Sequence, residues 1–193
     1  MQLAFDSVNA RPCIVWFTGL SGAGKTTIAR VVKRMLAARG EPAFLLDGDV
    51  VRKGLSSDLG FSALDRAENL RRAAQVAALV ADEGFTVLAA FITPTRADRA
   101  SVREQLAGYS FIEAYVDTEL AVAEARDSKG LYRRARLGEI AHFTGISAPF
   151  DVPESPDLRL ETSLFSADEL AALVVAKVMS NSSPDRPLAE RGT

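Results

Sequence analysis

Residues 19–26 read Gly-Leu-Ser-Gly-Ala-Gly-Lys-Thr, and this octapeptide restricts the fold more than any other part of the chain. A G-x-x-x-x-G-K-[ST] run works where a buried strand feeds a tight turn that opens directly into a helix. The glycines let backbone N–H groups converge on an anion, and the helix start adds positive partial charge. Both flanks meet the requirement. Residues 13–18, Cys-Ile-Val-Trp-Phe-Thr, form a continuous apolar run expected as a strand covered on both faces of a parallel sheet. Residues 26–39 then place Ile28, Val31, Val32 and Leu36 on one side of a helix that Gly40 ends. In such a loop Gly19, Leu20, Ser21, Gly22, Ala23, Gly24, Lys25, Thr26 and Thr27 wrap a polyphosphate, with Lys25 reaching its outer phosphates and the Thr26 hydroxyl ligating Mg²⁺. ATP and Mg²⁺ are the expected cofactors.

The rest of the chain repeats the strand-then-helix alternation. Strands are expected at 43–46, 86–92, 111–116 and 158–160, and helices at 64–82, 95–106, 118–126 and 166–179, the last with Ser166 as N-cap and Glu169 in the reciprocal position. This order predicts an α/β fold, a three-layer α/β/α sandwich of the P-loop NTPase type, with a central parallel sheet and ligands at the carboxyl ends of the strands. A polar, basic stretch over 127–154 has little core pattern and is expected as a mobile lid. One domain is expected over 12–179, after an N-terminal extension at 1–11 and before a tail at 180–193 whose Ser, Pro and charge suit disorder.

Composition removes several function classes. A net charge of −2 over 193 residues argues against a broad nucleic-acid or anionic-membrane footprint. One cysteine and one histidine exclude a metal site built on a cysteine–histidine cluster. Cys13 lies in an apolar run and is expected as an inert core thiol, and His142 as a packing or surface residue. The opening residues lack an export-signal pattern and no run of about 20 apolar residues occurs, so a cytoplasmic location is expected. The absence of an N-K-x-D guanine motif and the modest length favour a small-molecule kinase over a GTPase or a motor ATPase.

Asp47-Gly48-Asp49 closes the second strand. The tripeptide is sound turn chemistry, and it also sets two carboxylates beside the phosphate loop, where phosphoryl transfer needs them to hold Mg²⁺ through water and to orient or deprotonate a hydroxyl. The blocks around and beyond it decide between these roles: residues 47–55 (DGDVVRKGL), 58–62 (DLGFS) and 65–72 (DRAENLRR), then FITP at 91–94 with Arg96 and Arg99, ARD at 125–127, KGLY at 129–132, FTGI at 143–146 and PESPDL at 153–158. In order and spacing these blocks resemble the adenylylsulfate kinase (APS kinase) family over about residues 12–162. The resemblance implies transfer of the γ-phosphate of Mg-ATP to the ribose 3′-hydroxyl of adenosine 5′-phosphosulfate, on a fold that usually forms a homodimer. It further implies that Phe61 and Phe143 sandwich the acceptor's adenine, that Arg52, Arg66 and Asn69 bind its phosphosulfate, and that the Ile92 backbone contacts it. Asp49 would be the base for the 3′-hydroxyl, with Asp47 near the metal, and Arg126 would lie against the ATP adenine. Lys129, Arg133, Arg134 and Arg136 would close over the phosphates. Guanidinium forks and aromatic faces suit a flat purine carrying two anionic groups.

Each of these side chains also has an ordinary alternative, as a core aromatic or a solvated helix charge. The sequence departs from the family pattern at Val50 (Asn in the family), at Lys53 (His or Phe), at Thr93 (Ser) and at Phe150-Asp151 (Tyr-Glu). Two other functions stay open on these grounds: a kinase of the same fold acting on another nucleotide-like acceptor, and a nucleotide-binding subunit without turnover. Thr93 is expected to shape the site rather than to carry a phosphate.

Overall fold

The computed structural model describes residues 13–127 and 129–181. Five strands, β1 (Cys13–Thr18), β2 (Ala43–Asp47), β3 (Thr86–Ala90), β4 (Ser110–Asp117) and β5 (Leu158–Glu161), form one sheet in the order β2-β3-β1-β4-β5. Every pairing is parallel; Ile14, for example, lies beside Val87 on one side and Phe111 on the other. β1 is therefore central, and all six of its residues are buried.

Strand periodicity divides the core into two layers. Cys13, Val15 and Phe17 face α1 (Lys25–Ala37) and α7 (Ala167–Asn181), where they meet Ile28, Val32, Leu36, Leu170 and Val174. Ile14 and Trp16 face α3 (Ala63–Asp82) and α4 (Arg96–Gln105), against Ala73, Ala77, Val102 and Leu106. The buried face of α3 is a stripe of small residues, Ala73, Ala74, Ala77 and Ala81, and in the same layer Trp16 stacks on Phe91, which follows the neighbouring strand, with ring centroids 5.0 Å apart.

Helix starts follow the caps written in the sequence. Ser62 accepts from the Asp65 N–H at the head of α3, Thr95 and Asp98 form a reciprocal box on α4, and Ser166 and Glu169 exchange the same pair of bonds before α7. The chain runs from β1 outward to β2 and later from β3 back across β1 to β4, so the strand order reverses at β1. A crevice must open at the carboxyl end of β1, beside residues 19–26.

Two short helices were not foreseen. α2 (Gly48–Lys53) starts on the acidic tripeptide, capped by the Asp47 carboxylate, and α6 (Leu131–Arg136) lies within the stretch expected to lack a core. α6 buries Tyr132 and Ala135 against Ala123 of α5 (Leu120–Arg126) and against Phe143, which makes a third, small apolar cluster. Ser180 and Asn181 belong to the last turn of α7 rather than to a disordered tail, while the remainder of that tail and residues 1–11 lie outside the described residues. No helix among the described residues is long and apolar enough to cross a membrane.

Candidate active site

The phosphate loop is held by its own chain. Gly19 leaves β1 at φ 145°, and a Cβ there would stand 2.6 Å from the Val116 carbonyl oxygen of β4, so only glycine fits. Gly24, at φ 106°, is the N-cap of α1 and aims the helix start at the crevice. The Lys25 ammonium donates to the carbonyls of Gly19 and Leu20 at 2.8 and 2.7 Å. Burial pushes Lys25 down to about 7; Asp49 and Asp47 pull it back up, and Lys129 pushes with the burial. The Tyr132 hydroxyl donates to the Ser21 carbonyl at 2.8 Å, fastening α6 to the loop.

Opposite the loop, Asp47 does three things at once. It ends β2 beside Ala90, it accepts the Asp49 N–H at 2.8 Å to cap α2, and its other oxygen accepts the Thr26 hydroxyl at 2.7 Å. Thr26 and Asp47 thus meet as adjacent hard oxygen donors. Among the described residues no group of three or more His, Cys, Asp or Glu could cage a metal. This donor set fits Mg²⁺, which takes one or two protein oxygens and completes its shell with water and substrate phosphates. Asp49 points into the same cleft and pairs with Lys129.

The far wall is built by α2 and the start of α3. Arg52 donates to the Gly60 carbonyl at 2.8 Å and lays its guanidinium 4.6 Å from the centroid of the Phe61 ring. Arg66 donates to the carbonyls of Phe61 and His142 and to the Thr144 hydroxyl, so it joins α3 to the 142–144 turn. Both guanidiniums are pushed below their ordinary pKa, first by partial burial. Asn69 is buried, and its Oδ1 has no hydrogen-bond partner among the described residues, which leaves an acceptor on this wall for a ligand donor. The floor is the 91–94 segment. There Thr93 is a buried, non-glycine residue at φ 45°, and its hydroxyl accepts the Trp16 indole N–H at 2.8 Å.

These parts line one cleft of about 1630 Å³. Of the residues expected at the site, Ser21 to Thr27, Asp47, Asp49, Arg52, Phe61, Arg66, Asn69, Ile92, Thr93, Arg126, Lys129 and Phe143 all lie on it. Gly19 and Leu20 lie behind the lining and contribute the carbonyls that hold Lys25. Phe61 is 59% exposed, whereas Phe143 is only 8% exposed and meets Tyr132 edge-on at 5.0 Å. Of the three arginines at 133–136 only Arg134 reaches the cleft lining, paired with Glu139; Arg136 turns to Glu124 on α5.

Val50 is 68% exposed and lies off the cleft, so that departure from the family pattern leaves the lining untouched, while Lys53 is on the lining. The sequence assigned no role to Tyr132, Thr162 or Phe165, which also line it. Thr162 accepts from Arg126 and shares a 2.6 Å contact with Thr118. KGLY held a signal for Tyr132 in its lone aromatic; Thr162 had none, because its partners are 36 and 44 residues away.

A parallel sheet reversing at a phosphate loop, with carboxylates beside the loop and an arginine-rich wall across from it, defines a P-loop small-molecule kinase. The adenylylsulphate kinase family model matches residues 11–161. The chain belongs to the adenylylsulfate kinase family. It is 52% identical over 168 residues to the adenylyl-sulfate kinase of Marinobacter nauticus, covering 87% of this chain and 84% of that one. To the adenylyl-sulfate kinase of Vibrio cholerae it is 54% identical over 162 residues, covering 84% and 75%. The APS kinase of Mycobacterium tuberculosis, solved in complex with AMPPNP and APS, superposes with a TM-score of 0.85 at 50% identity over 89% of this chain and 99% of that one.

Proposed function

We infer that this chain transfers the γ-phosphoryl group of ATP to the ribose 3′-hydroxyl of adenosine 5′-phosphosulfate, releasing ADP and 3′-phosphoadenosine 5′-phosphosulfate. The observation that carries the reading is the position of Asp49, on one cleft between the phosphate loop and the Arg52–Phe61–Arg66–Asn69 wall.

In this reading the loop amides and Lys25 hold the triphosphate, while Arg126 and the 162–165 turn flank its base. Thr26 and, through water, Asp47 would hold Mg²⁺, which would supply positive charge against the charge that builds on the phosphates during transfer. On the acceptor side Arg52 and Arg66 take the phosphosulfate, Asn69 uses its free Oδ1, and Phe61 and Phe143 cover the purine. The Asp49 carboxylate accepts the proton of the 3′-hydroxyl as its oxygen bonds to the γ-phosphorus, and the bond from that phosphorus to the β–γ bridging oxygen breaks with its electrons leaving on ADP. Lys129 sits against Asp49, on the 127–154 lid, and brings a cation to the phosphates as the lid closes. The buried lone thiol of Cys13 accords with a cytoplasmic setting, and the homodimer rests on the family resemblance alone.

A coupled assay of ADP release with adenylylsulfate and MgATP tests the reading. Acceptor-dependent turnover is expected, and AMP or adenosine offered instead should turn over poorly. A folded sample that binds ATP and releases no ADP with adenylylsulfate, or that prefers a different acceptor, overturns it.

A further inference from the structure

The backbone of Ile92 and Thr93 forms the acceptor floor, and the chain must hold it in an unfavourable shape. Thr93 is β-branched and sits at φ 45°, an unfavourable conformation that persists only where its surroundings over-determine it. Four contacts surround it. Trp16 donates to its hydroxyl at 2.8 Å, the Thr18 hydroxyl reaches its carbonyl at 3.2 Å, and the Arg99 guanidinium donates to the carbonyls of Thr93 and Pro94 at 3.4 and 3.3 Å. Pro94 also accepts the Asp151 N–H at 2.9 Å, at the far foot of the lid.

Arg99 is unusual for an arginine on a surface helix. It is 8% exposed, and its counter-ion, Glu113 of β4, is equally buried at 3.5 Å. Glu113 is the β4 residue in register with Trp16, so carboxylate and indole leave the same face of the sheet side by side. A buried ion pair is poor evidence of stabilisation for its own sake, since desolvation offsets its attraction. Here the pair points a fork at two carbonyls of a strained turn. Ile92 is held independently, its carbonyl accepting from the Gly19 N–H and the Thr18 hydroxyl, so the phosphate-loop side does not depend on Arg99.

We propose that Arg99, oriented by Glu113, is a positioning residue for the acceptor: it clamps the Thr93–Pro94 turn in its left-handed form and thereby sets the floor on which the acceptor lies. The proposal rests on adenylylsulfate being the acceptor, and the two can fail separately. Wild-type turnover with adenylylsulfate tests the identity of the acceptor alone.

Given an active wild type, Arg99→Lys and Arg99→Met should each raise the KM for adenylylsulfate about tenfold or more while the KM for MgATP stays within about twofold. Glycine takes positive φ without strain, so in a Thr93→Gly background the effect of Arg99→Met should shrink to about threefold or less. Equal shifts in both KM values, or an undiminished effect of Arg99→Met beside Thr93→Gly, overturns the proposal. Should Arg99→Met fail to fold, Glu113→Gln replaces it: a rise of about threefold confined to the acceptor KM supports the clamp. An unchanged acceptor KM in Glu113→Gln rejects it.

Discussion

Lys25 is where binding and stability conflict. Its folded pKa of about 7 lies below the ordinary 10.5, so between those values the unfolded chain carries more protons than the folded one. Ligand-free stability should therefore rise as pH increases from about 7 towards 10, and the full cost of the buried charge is felt below 7. Lys25→Met is expected to melt higher than wild type at pH 6.5, by about 4 °C or more, with the difference shrinking by pH 9.5 and ATP binding weakened throughout. Thermal melts across that range decide it, and a variant less stable at every pH would contradict the buried-charge account. Asp49 separates from Lys25 kinetically. Asp49→Ala should lower kcat by about 10²-fold or more with the KM for ATP within about threefold, read from steady-state rates. Comparable, modest losses in both variants would dissolve the distinction between base and phosphate ligand.

At the level of elements, legibility followed periodicity. Strands 13–18 and 111–116 and the long helix from about 64 to 82 carried enough apolar repeats to be read, and their ends moved by no more than one residue. α2 did not, because six residues beginning Gly-Asp look like a turn until the Asp47 carboxylate is seen capping them. α6 escaped for a related reason: Tyr132 and Ala135 are too few to establish a helical period, and their partners Ala123 and Phe143 come from other elements. The site residues were readable as an ordered set of motifs. The bonds that fix their aim, Thr26 to Asp47 or Arg66 to Thr144, join residues 21 and 78 positions apart and leave no local trace.

Tyr132 offers a test at this scale. Tyr132→Phe keeps the ring against Phe143 and removes only the bond to Ser21, so stability should fall by about 1 kcal/mol while the KM for ATP rises a few-fold. Chemical denaturation together with ATP titration of the rate would show it, and no change in either quantity would deny α6 its link to the loop.

For the molecule as a whole, the phosphate loop and the arginine wall share one cleft, and the 127–154 stretch proposed as its lid is anchored at both feet. Arg126 bonds to Thr162 at one foot, while Phe150 stacks on Tyr115 and Asp151 bonds to Pro94 at the other. Between these feet, residues 129–148 meet the cleft through Lys129 on Asp49, Tyr132 on the Ser21 carbonyl and the bonds of Arg66 to His142 and Thr144. ADP alone at about 100 times its Kd should stabilise the fold by about 2.7 kcal/mol. Amide exchange over 129–148 should slow further when adenylylsulfate joins the ADP. No added protection over that given by ADP alone would mean that this segment responds to the nucleotide and not to the acceptor.

The strand order has a practical corollary. The cleft opens at the carboxyl rim of the sheet, so among the described residues the turn before β4, at the amino rim, lies away from its lining and offers a place for a label. Gly108 is exposed there, with nothing within 4 Å of where a side chain would begin, and the sole native thiol, Cys13, is sealed in the core. Gly108→Cys should accept a maleimide dye at a single position and keep wild-type turnover, giving a silent handle on the back of the enzyme for watching the front close.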